Sequence, residues 1–148
     1  MLTFDLKNRN QHLLSEVIDK GMYEPADVEL KPYGRITEKY IKRIETVYQG
    51  VKVDNYVIMP NHVHLLLTIT ERTPEYQKPK GNNISLVATI IRSTKNMITR
   101  EIGQSIWQTD FYDTIADTEE IFMRCDRYID NNPAAWLEKH GEEPQSPK

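Results

Sequence analysis

Two histidines separated by one residue, His62 and His64, have the spacing that most directly suggests chemistry. They lie in NYVIMPNHVHLLLTIT, residues 55–70, whose run of Val, Leu and Ile after His62 predicts a strand. Alternate side chains on a strand share a face, so the two imidazoles would project together, about 7 Å apart along the chain. Such a pair can hold one divalent metal, although an isolated H-x-H pair is more often two surface or core residues. A third ligand is needed to decide between these interpretations.

The last predicted helix offers that third ligand, because it carries Tyr128 and Asn132 four residues apart. Residues at that spacing are neighbours on one helical face. A phenol and an amide oxygen one turn apart are what a metal-assisted nucleophile requires. Both residues also have structural interpretations, since a tyrosine on an apolar stripe usually packs in the core and an Asn before Pro133 commonly closes a helix.

Strand and helix patterns alternate along the chain and predict an α+β fold, an antiparallel sheet with helices on one side. Thr37 is the expected N-cap of a first helix, over residues 37–48, that ends at Gly50. The predicted strands are residues 2–6, 27–30, 51–53, 56–59 and 62–69.

The second half of the chain is predicted to hold two more helices. Residues 71–83 contain two prolines and a glycine without an apolar period, which indicates a loop. Ser85 can cap the second helix, and residues 107–115 suit a short strand or an ordered crossing loop. Asp117 and Glu120 resemble a capping box that opens the last helix, which is expected to stop at Pro133.

Composition indicates one soluble domain over residues 1–140, with a disordered tail at 141–148. The chain has 148 residues, of which 39% are hydrophobic and 28% charged, and a single cysteine that excludes an intramolecular disulfide. No apolar run reaches the roughly 18 residues that a membrane-spanning helix needs. Together with a start that lacks signal-peptide features, these properties favour the cytoplasm and no membrane partner.

The net charge of −3 argues mildly against a protein that coats DNA, yet a local basic face is enough to bind a few nucleotides. Exposed Tyr76 or Tyr112 could stack on bases. The basic residues chosen as candidate phosphate contacts for DNA binding are Lys78, Lys80, Arg92, Lys95 and Arg100. A solvated surface is an equally good interpretation of each of them.

Three segments in order resemble the motifs of single-tyrosine HUH transposases, in the form typical of REP-associated tyrosine transposases and insertion-sequence relatives. NYVIMPNHVHLLLTI is similar to the HUH motif, and IWQTDFYDTI, residues 106–115, is similar to a Trp-Gln segment. RYIDNNP, residues 127–133, resembles the Tyr-Ile-x-x-Asn-Pro motif that carries the catalytic tyrosine. The resemblance covers roughly residues 2–138.

This resemblance implies a ferredoxin-like (RRM-like) sheet with the histidines on a central strand and the catalytic tyrosine on a C-terminal helix. It implies that His62, His64 and Asn132 hold Mg²⁺ or Mn²⁺ and that Tyr128 attacks single-stranded or hairpin DNA. The reaction would be strand cleavage and transfer through a 5′-phosphotyrosine. Relatives include monomers and dimers, so a homodimer is left open.

Two other functions compete with this one. A relative that has lost or abandoned catalysis would bind single-stranded nucleic acid without cutting it. A metal-dependent hydrolase would use water in place of Tyr128, but such sites normally add acidic ligands, and the nearest downstream acid is Glu71, outside the strand.

Overall fold

The computed structural model describes residues 1–70 and 85–140, which form six strands and three helices. Among these described residues, no helix is both long enough and apolar enough to cross a membrane. The strands are β1 (Leu2–Asp5), β2 (Ser15–Ile18), β3 (Asp27–Leu30), β4 (Val51–Ile58), β5 (His62–Ile69) and β6 (Tyr112–Asp113). The helices are α1 (Pro32–Val47), α2 (Leu86–Ile102) and α3 (Glu119–His140).

Four strands form an antiparallel sheet in the order β4-β5-β1-β6. The chain passes through this sheet as β1–α1–β4–β5–α2–β6, which is the ferredoxin-like arrangement. The strands β2 and β3 form a separate antiparallel hairpin inserted before α1. The predicted α+β class is therefore confirmed, with the two histidines on a central strand and Tyr128 on the last helix.

Helices cover both faces of the sheet, so the prediction that they lie on one side is wrong. On one face, Phe4, Val63 and Leu65 pack with α1 and α2 in a first core. On the other face, Leu66 and Ile129 belong to a second core that α3 and the β2–β3 hairpin close. A strand buried on both faces is apolar at successive positions, which explains the Leu-Leu-Leu run in β5.

The first helix begins at Pro32, five residues before the predicted cap. Proline is favoured at the first position of a helix, because its missing N–H would have no partner there. Thr37 lies inside the helix, and its hydroxyl donates to the Tyr33 carbonyl at 2.8 Å. Gly34 allows the helix to approach the preceding segment, since a Cβ there would collide with the Leu14 carbonyl.

The last helix continues through Pro133 to His140, so the predicted stop is wrong. Proline removes one backbone hydrogen bond, but burial of Trp136, one turn further on, stabilises the continued helix against the second core. The capping hydroxyl is Thr118, which accepts from the Ile121 N–H at 3.1 Å, and not the predicted Asp117. Because the helix continues, its last two turns reach the region of the histidines.

Of the remaining elements, some have the bounds predicted from the sequence and others do not. The strands β3 and β5 have the predicted bounds, and Ser85 accepts from the Ala88 N–H at the start of α2. The strand β4 is continuous, with a register shift between Val53 and Asn55 where two strands were predicted. The sequence pattern did not predict β2. The predicted loop at 71–83 and tail at 141–148 lie outside the described residues.

Candidate functional site

The two histidines stand side by side on β5, facing α3. Their ring centroids are 4.8 Å apart. The pairing of β1 with β5 places Thr3 opposite His64 and Asp5 opposite His62. Side chains directly opposite on antiparallel strands share a face, so these four residues line one surface of the sheet.

Each imidazole is oriented by a hydrogen bond at Nδ1. Nδ1 of His64 lies 2.8 Å from the Thr3 hydroxyl, and Nδ1 of His62 lies 2.6 Å from the Asn61 side-chain oxygen. A partner at one ring nitrogen fixes the ring and leaves the other nitrogen for a ligand. Nε2 is therefore the nitrogen that each histidine can offer to a metal.

Burial makes both histidines neutral. Loss of water contact lowers the pKa of His62 to about 4, with the charge of Arg9 adding to the effect and the Asn132 side chain opposing it. Burial, followed by the neighbouring His62, lowers the pKa of His64 to about 3. Because a histidine must be unprotonated to ligate a metal, both side chains are in the ligating form at neutral pH.

Tyr128 lies on α3 beside this pair. Its ring centroid is 5.2 Å from that of His64, yet the residue remains 52% exposed. The helix is held in place by the buried Ile129 and by Asn55, whose side-chain amide donates to the carboxylates of Asp126 and Asp130 at 2.8 and 2.9 Å. The hydroxyl-bearing ring is thus fixed by its backbone while still open to solvent.

Asn132 lies one turn further along α3 and is buried, with 8% of its surface exposed. Its side-chain nitrogen donates to the Tyr128 carbonyl at 3.1 Å, and the side chain is also a hydrogen-bond partner of His62. Within residues 1–70 and 85–140, no group of three or more His, Cys, Asp and Glu residues could hold a metal. Two neutral imidazoles and one amide oxygen nevertheless fit a divalent metal that keeps several positions for other ligands.

These side chains border a cleft of about 470 Å³. Arg9 and Lys139 line it and bring positive charge beside the histidines. Tyr112 also lines it and is 66% exposed. Sequence patterns did not identify Thr3, Arg9 or Lys139 as site residues, because their positions depend on strand pairing and on the continuation of α3 beyond Pro133.

The three predicted phosphate contacts that the structure describes do not line this cleft. Lys78 and Lys80 lie outside the described residues, as does Tyr76. Arg92 and Arg100 are exposed on α2, which packs on the opposite face of the sheet. Lys95 is on the same helix but is only 9% exposed, and its ammonium donates to the carbonyls of Gln108 and Asp110 at 2.9 Å. The alternative interpretation of Lys95, a residue of a solvated surface, is therefore wrong, while its role as a phosphate contact stays a prediction.

The chain is similar to known proteins over most of its length. The family model "Transposase IS200 like" matches residues 6–132. An uncharacterized protein of Haemophilus influenzae is 25% identical over 150 residues, which cover 91% of this chain and 79% of that protein. A solved structure of a REP-associated tyrosine transposase bound to a REP hairpin has a TM-score of 0.60 at 22% identity, a likeness that shows the shared fold. The match covers 95% of this chain but 66% of that one, slightly less than two thirds.

Proposed function

The chain belongs to the family of IS200-like transposases, and from this premise we propose that it cleaves and rejoins single-stranded DNA through a covalent bond to Tyr128. A transposase has to break a DNA strand and later join the freed end to another strand. A protein nucleophile can do both without an external energy source, because the phosphoester is exchanged and not hydrolysed.

Tyr128 would act as the nucleophile. Its oxygen, after losing its proton to solvent, bonds to the phosphorus of the scissile phosphate. The bond from that phosphorus to the 3′ oxygen breaks, and the 3′ oxygen takes up a proton to become a hydroxyl. The products are a 5′-phosphotyrosine and a free 3′ end. Attack by a 3′-hydroxyl on the phosphotyrosine reverses the step, releases Tyr128 and forms the new DNA bond.

His62, His64 and Asn132 would hold the divalent metal, Mg²⁺ or Mn²⁺. A metal ion bound there would polarise the scissile phosphate and stabilise negative charge on the leaving oxygen. Nitrogen ligands favour Mn²⁺ in affinity, whereas Mg²⁺ accepts such sites when it is more abundant. The chain contributes two neutral imidazoles in fixed orientation and one amide oxygen, and it leaves the remaining positions to phosphate and water.

The observation that carries this proposal is the position of Tyr128. A tyrosine on an apolar helical stripe normally buries its ring, but Tyr128 is 52% exposed, and its ring centroid lies 5.2 Å from that of His64. The helical spacing also brings Asn132 to the same cleft. A purely structural role for Tyr128 explains neither its exposure nor its neighbours.

An unpaired strand suits this cleft better than a duplex. Tyr112 exposes its ring at the edge of the cleft, and aromatic rings of this kind stack on unpaired bases of any sequence. Arg9 and Lys139 offer charge to the adjoining phosphates. The structural relative was solved with a REP hairpin, so the substrate we propose for this chain is a single strand that flanks a DNA hairpin.

The test incubates the protein with labelled hairpin oligonucleotides that carry single-stranded flanks, in the presence of Mn²⁺. We expect a labelled species of protein mass on a denaturing gel, lost when a chelator is added. Tyr128→Phe should abolish that species while DNA binding persists.

Tyr112→Phe is the matched control, because it removes a hydroxyl from the other tyrosine in the same cleft. This variant should still form the adduct. An adduct that survives in Tyr128→Phe would show that the nucleophile is misassigned. DNA binding without any adduct across a broad set of oligonucleotides would favour the non-cleaving nucleic-acid-binding alternative.

A further inference from the structure

A second cavity, of about 490 Å³, lies between α2 and residues 105–111. Arg92, Lys95 and Asn96 line it from the helix, while Trp107 and Gln108 line it from the opposite segment. Because α2 packs on the sheet face that points away from the histidines, this cavity is separate from the cleft. Neither the metal ligands nor Tyr128 contribute to it.

Lys95 places a buried positive charge in the wall of this cavity. The residue is 9% exposed, and its ammonium contacts the carbonyls of Gln108 and Asp110. A lysine ammonium has three N–H donors, so two are used. Among the described residues, no carboxylate lies within ion-pair distance of it.

A buried cation that no carboxylate contacts directly is costly, and the cost falls further when an anion binds beside it. Burial accordingly lowers the Lys95 pKa, while the charges of Asp110, which also lines the cavity, and then of Asp5 act against this shift. The exposed Arg92, one helical turn before Lys95, brings a second cation to the same cavity. The Asn96 and Gln108 amides supply neutral hydrogen-bonding groups at its wall.

The cleft and the cavity are adjacent in the chain. Phe111 lines the cavity, whereas Tyr112, the next residue, lines the cleft. Successive side chains of an extended segment point to opposite faces. Since β6 is the edge strand of the sheet, a DNA strand that leaves the cleft can pass over this edge without crossing another strand.

We propose that the cavity between α2 and residues 105–111 binds a backbone phosphate of the DNA, held between Lys95 and Arg92. The bound nucleotide lies outside the cleavage site, on the part of the strand that has passed over β6. The inference rests on the proposed function, because it takes the DNA substrate as given. It adds a site that positions the strand and takes no part in breaking it.

The first experiment measures binding of a hairpin oligonucleotide with single-stranded flanks to the Tyr128→Phe protein, which cannot form the adduct. Arg92→Ala should weaken binding about tenfold, the size expected for one charge-assisted contact. It should also reduce the slope of log K against log salt by about 0.7, the value for one phosphate contact on a single strand. Arg43→Ala removes the same charge from α1, outside the cavity, and should change neither quantity.

The second experiment locates the phosphate. Single methylphosphonate substitutions along the oligonucleotide remove one backbone charge at a time. In the protein with Arg92 intact, a methylphosphonate at one position, or at either of two adjacent positions, should lower DNA affinity. In Arg92→Ala, a methylphosphonate at those same positions should leave DNA affinity unchanged. In Lys95→Gln, a methylphosphonate at the same positions should also leave DNA affinity unchanged. Thermal melting curves of both variants show whether they are folded.

The outcomes separate this inference from the proposed function. If Arg92→Ala binds DNA as Arg43→Ala does at every salt concentration while the unmodified protein still forms its adduct, the cavity proposal is overturned and the cleavage proposal stands. If inorganic phosphate protects the fold through Lys95 but no methylphosphonate position depends on Arg92, the cavity is a free-phosphate site and the inference is wrong. If DNA affinity no longer depends on methylphosphonates at the same positions in both Arg92→Ala and Lys95→Gln, the cavity proposal is supported.

Discussion

Burial affects basic side chains differently in the cleft on one face of the sheet and in the cavity on the other. In the cleft, burial keeps His62 and His64 uncharged, which is the form that can ligate a metal. In the cavity, burial lowers the pKa of Lys95 as well, but an ammonium starts from a pKa near 10.5 and so keeps its charge at neutral pH far more readily than an imidazole. The same physical effect is therefore consistent with the metal site proposed on one face and with the phosphate site proposed on the other.

The hydrogen-bond partners of these basic side chains also differ between the cleft and the cavity. Thr3 and Asn61 each contact one ring nitrogen of a histidine, which orients the ring and leaves one nitrogen open. The Lys95 ammonium is bound by two carbonyls, which fix its position without neutralising it. We therefore expect changes at the histidines and their hydrogen-bond partners to affect metal binding and catalysis, and the loss of Arg92 to affect DNA affinity while metal binding persists.

The largest effect should come from removing a proposed metal ligand. His64→Ala should lower Mn²⁺ affinity and adduct formation by more than about 100-fold, since even loss of an outer-shell partner costs about 10–100-fold. Calorimetric titration with Mn²⁺ and the denaturing gel measure the two quantities. Arg92→Ala should bind Mn²⁺ as the unmodified protein does. Equal loss of metal binding in both variants would remove the distinction between the two faces.

A smaller effect is expected from Thr3→Val, which keeps the side-chain shape but removes the hydroxyl that orients His64. Mn²⁺ affinity should fall by about 10–100-fold, because outer-shell partners fix the ring of a ligating histidine. Thr70→Val makes the same change at an exposed position beyond the end of β5 and should have no effect. Unchanged Mn²⁺ affinity in Thr3→Val would mean that the Thr3 hydroxyl does not position the ligand.

Tyr112→Ala should weaken DNA binding without changing metal affinity. Loss of one stacked base costs about 1–3 kcal/mol, and Tyr112→Phe should retain most of the binding because it keeps the ring. Tyr23→Ala is the control, since Tyr23 is 95% exposed but does not line the cleft. Equal affinities for Tyr112→Ala and Tyr23→Ala would argue against stacking in the cleft.

The smallest effect concerns stability and pH. Because burial lowers the Lys95 pKa, the unfolded chain binds more protons than the folded protein as the pH rises toward the ordinary value of 10.5. The free energy of unfolding should therefore increase with pH in that window, by about 1.4 kcal/mol for each unit of pKa shift. Urea unfolding at pH 7 and pH 10 should show that Lys95→Met lacks this increase.

Lys42→Met, which removes an exposed ammonium from α1, should retain the alkaline increase in stability. If Lys95→Met and Lys42→Met respond to pH in the same way, the Lys95 ammonium is not the costly buried charge that the comparison requires.

Local pattern was sufficient to predict the elements that carry the chemistry. The strand from His62 to Ile69 has the predicted bounds, because its run of Val, Leu and Ile is a property of the segment itself. Helical spacing likewise placed Tyr128 and Asn132 on one face of the last helix. The motif resemblance then indicated that these two elements meet, which periodicity alone cannot establish.

The features that the sequence patterns did not predict depend on tertiary contacts. Strand register puts Thr3 opposite His64, and no local pattern encodes that pairing. Burial of Trp136 extends the last helix through Pro133 against its intrinsic preference. Lys95 is a case in which a signal existed, because it lies four residues after Ile91 and three before Ile98, on the buried stripe of α2.

The most direct test of the central claim is to map the covalent product. The protein is incubated with a hairpin oligonucleotide and Mn²⁺, digested with a protease and a nuclease, and the modified peptide is sequenced by mass spectrometry. We expect a nucleotide linked through its 5′ phosphate to Tyr128, absent when a chelator is present. A nucleotide attached to Tyr112, or cleaved DNA with no attached residue, would contradict the central claim.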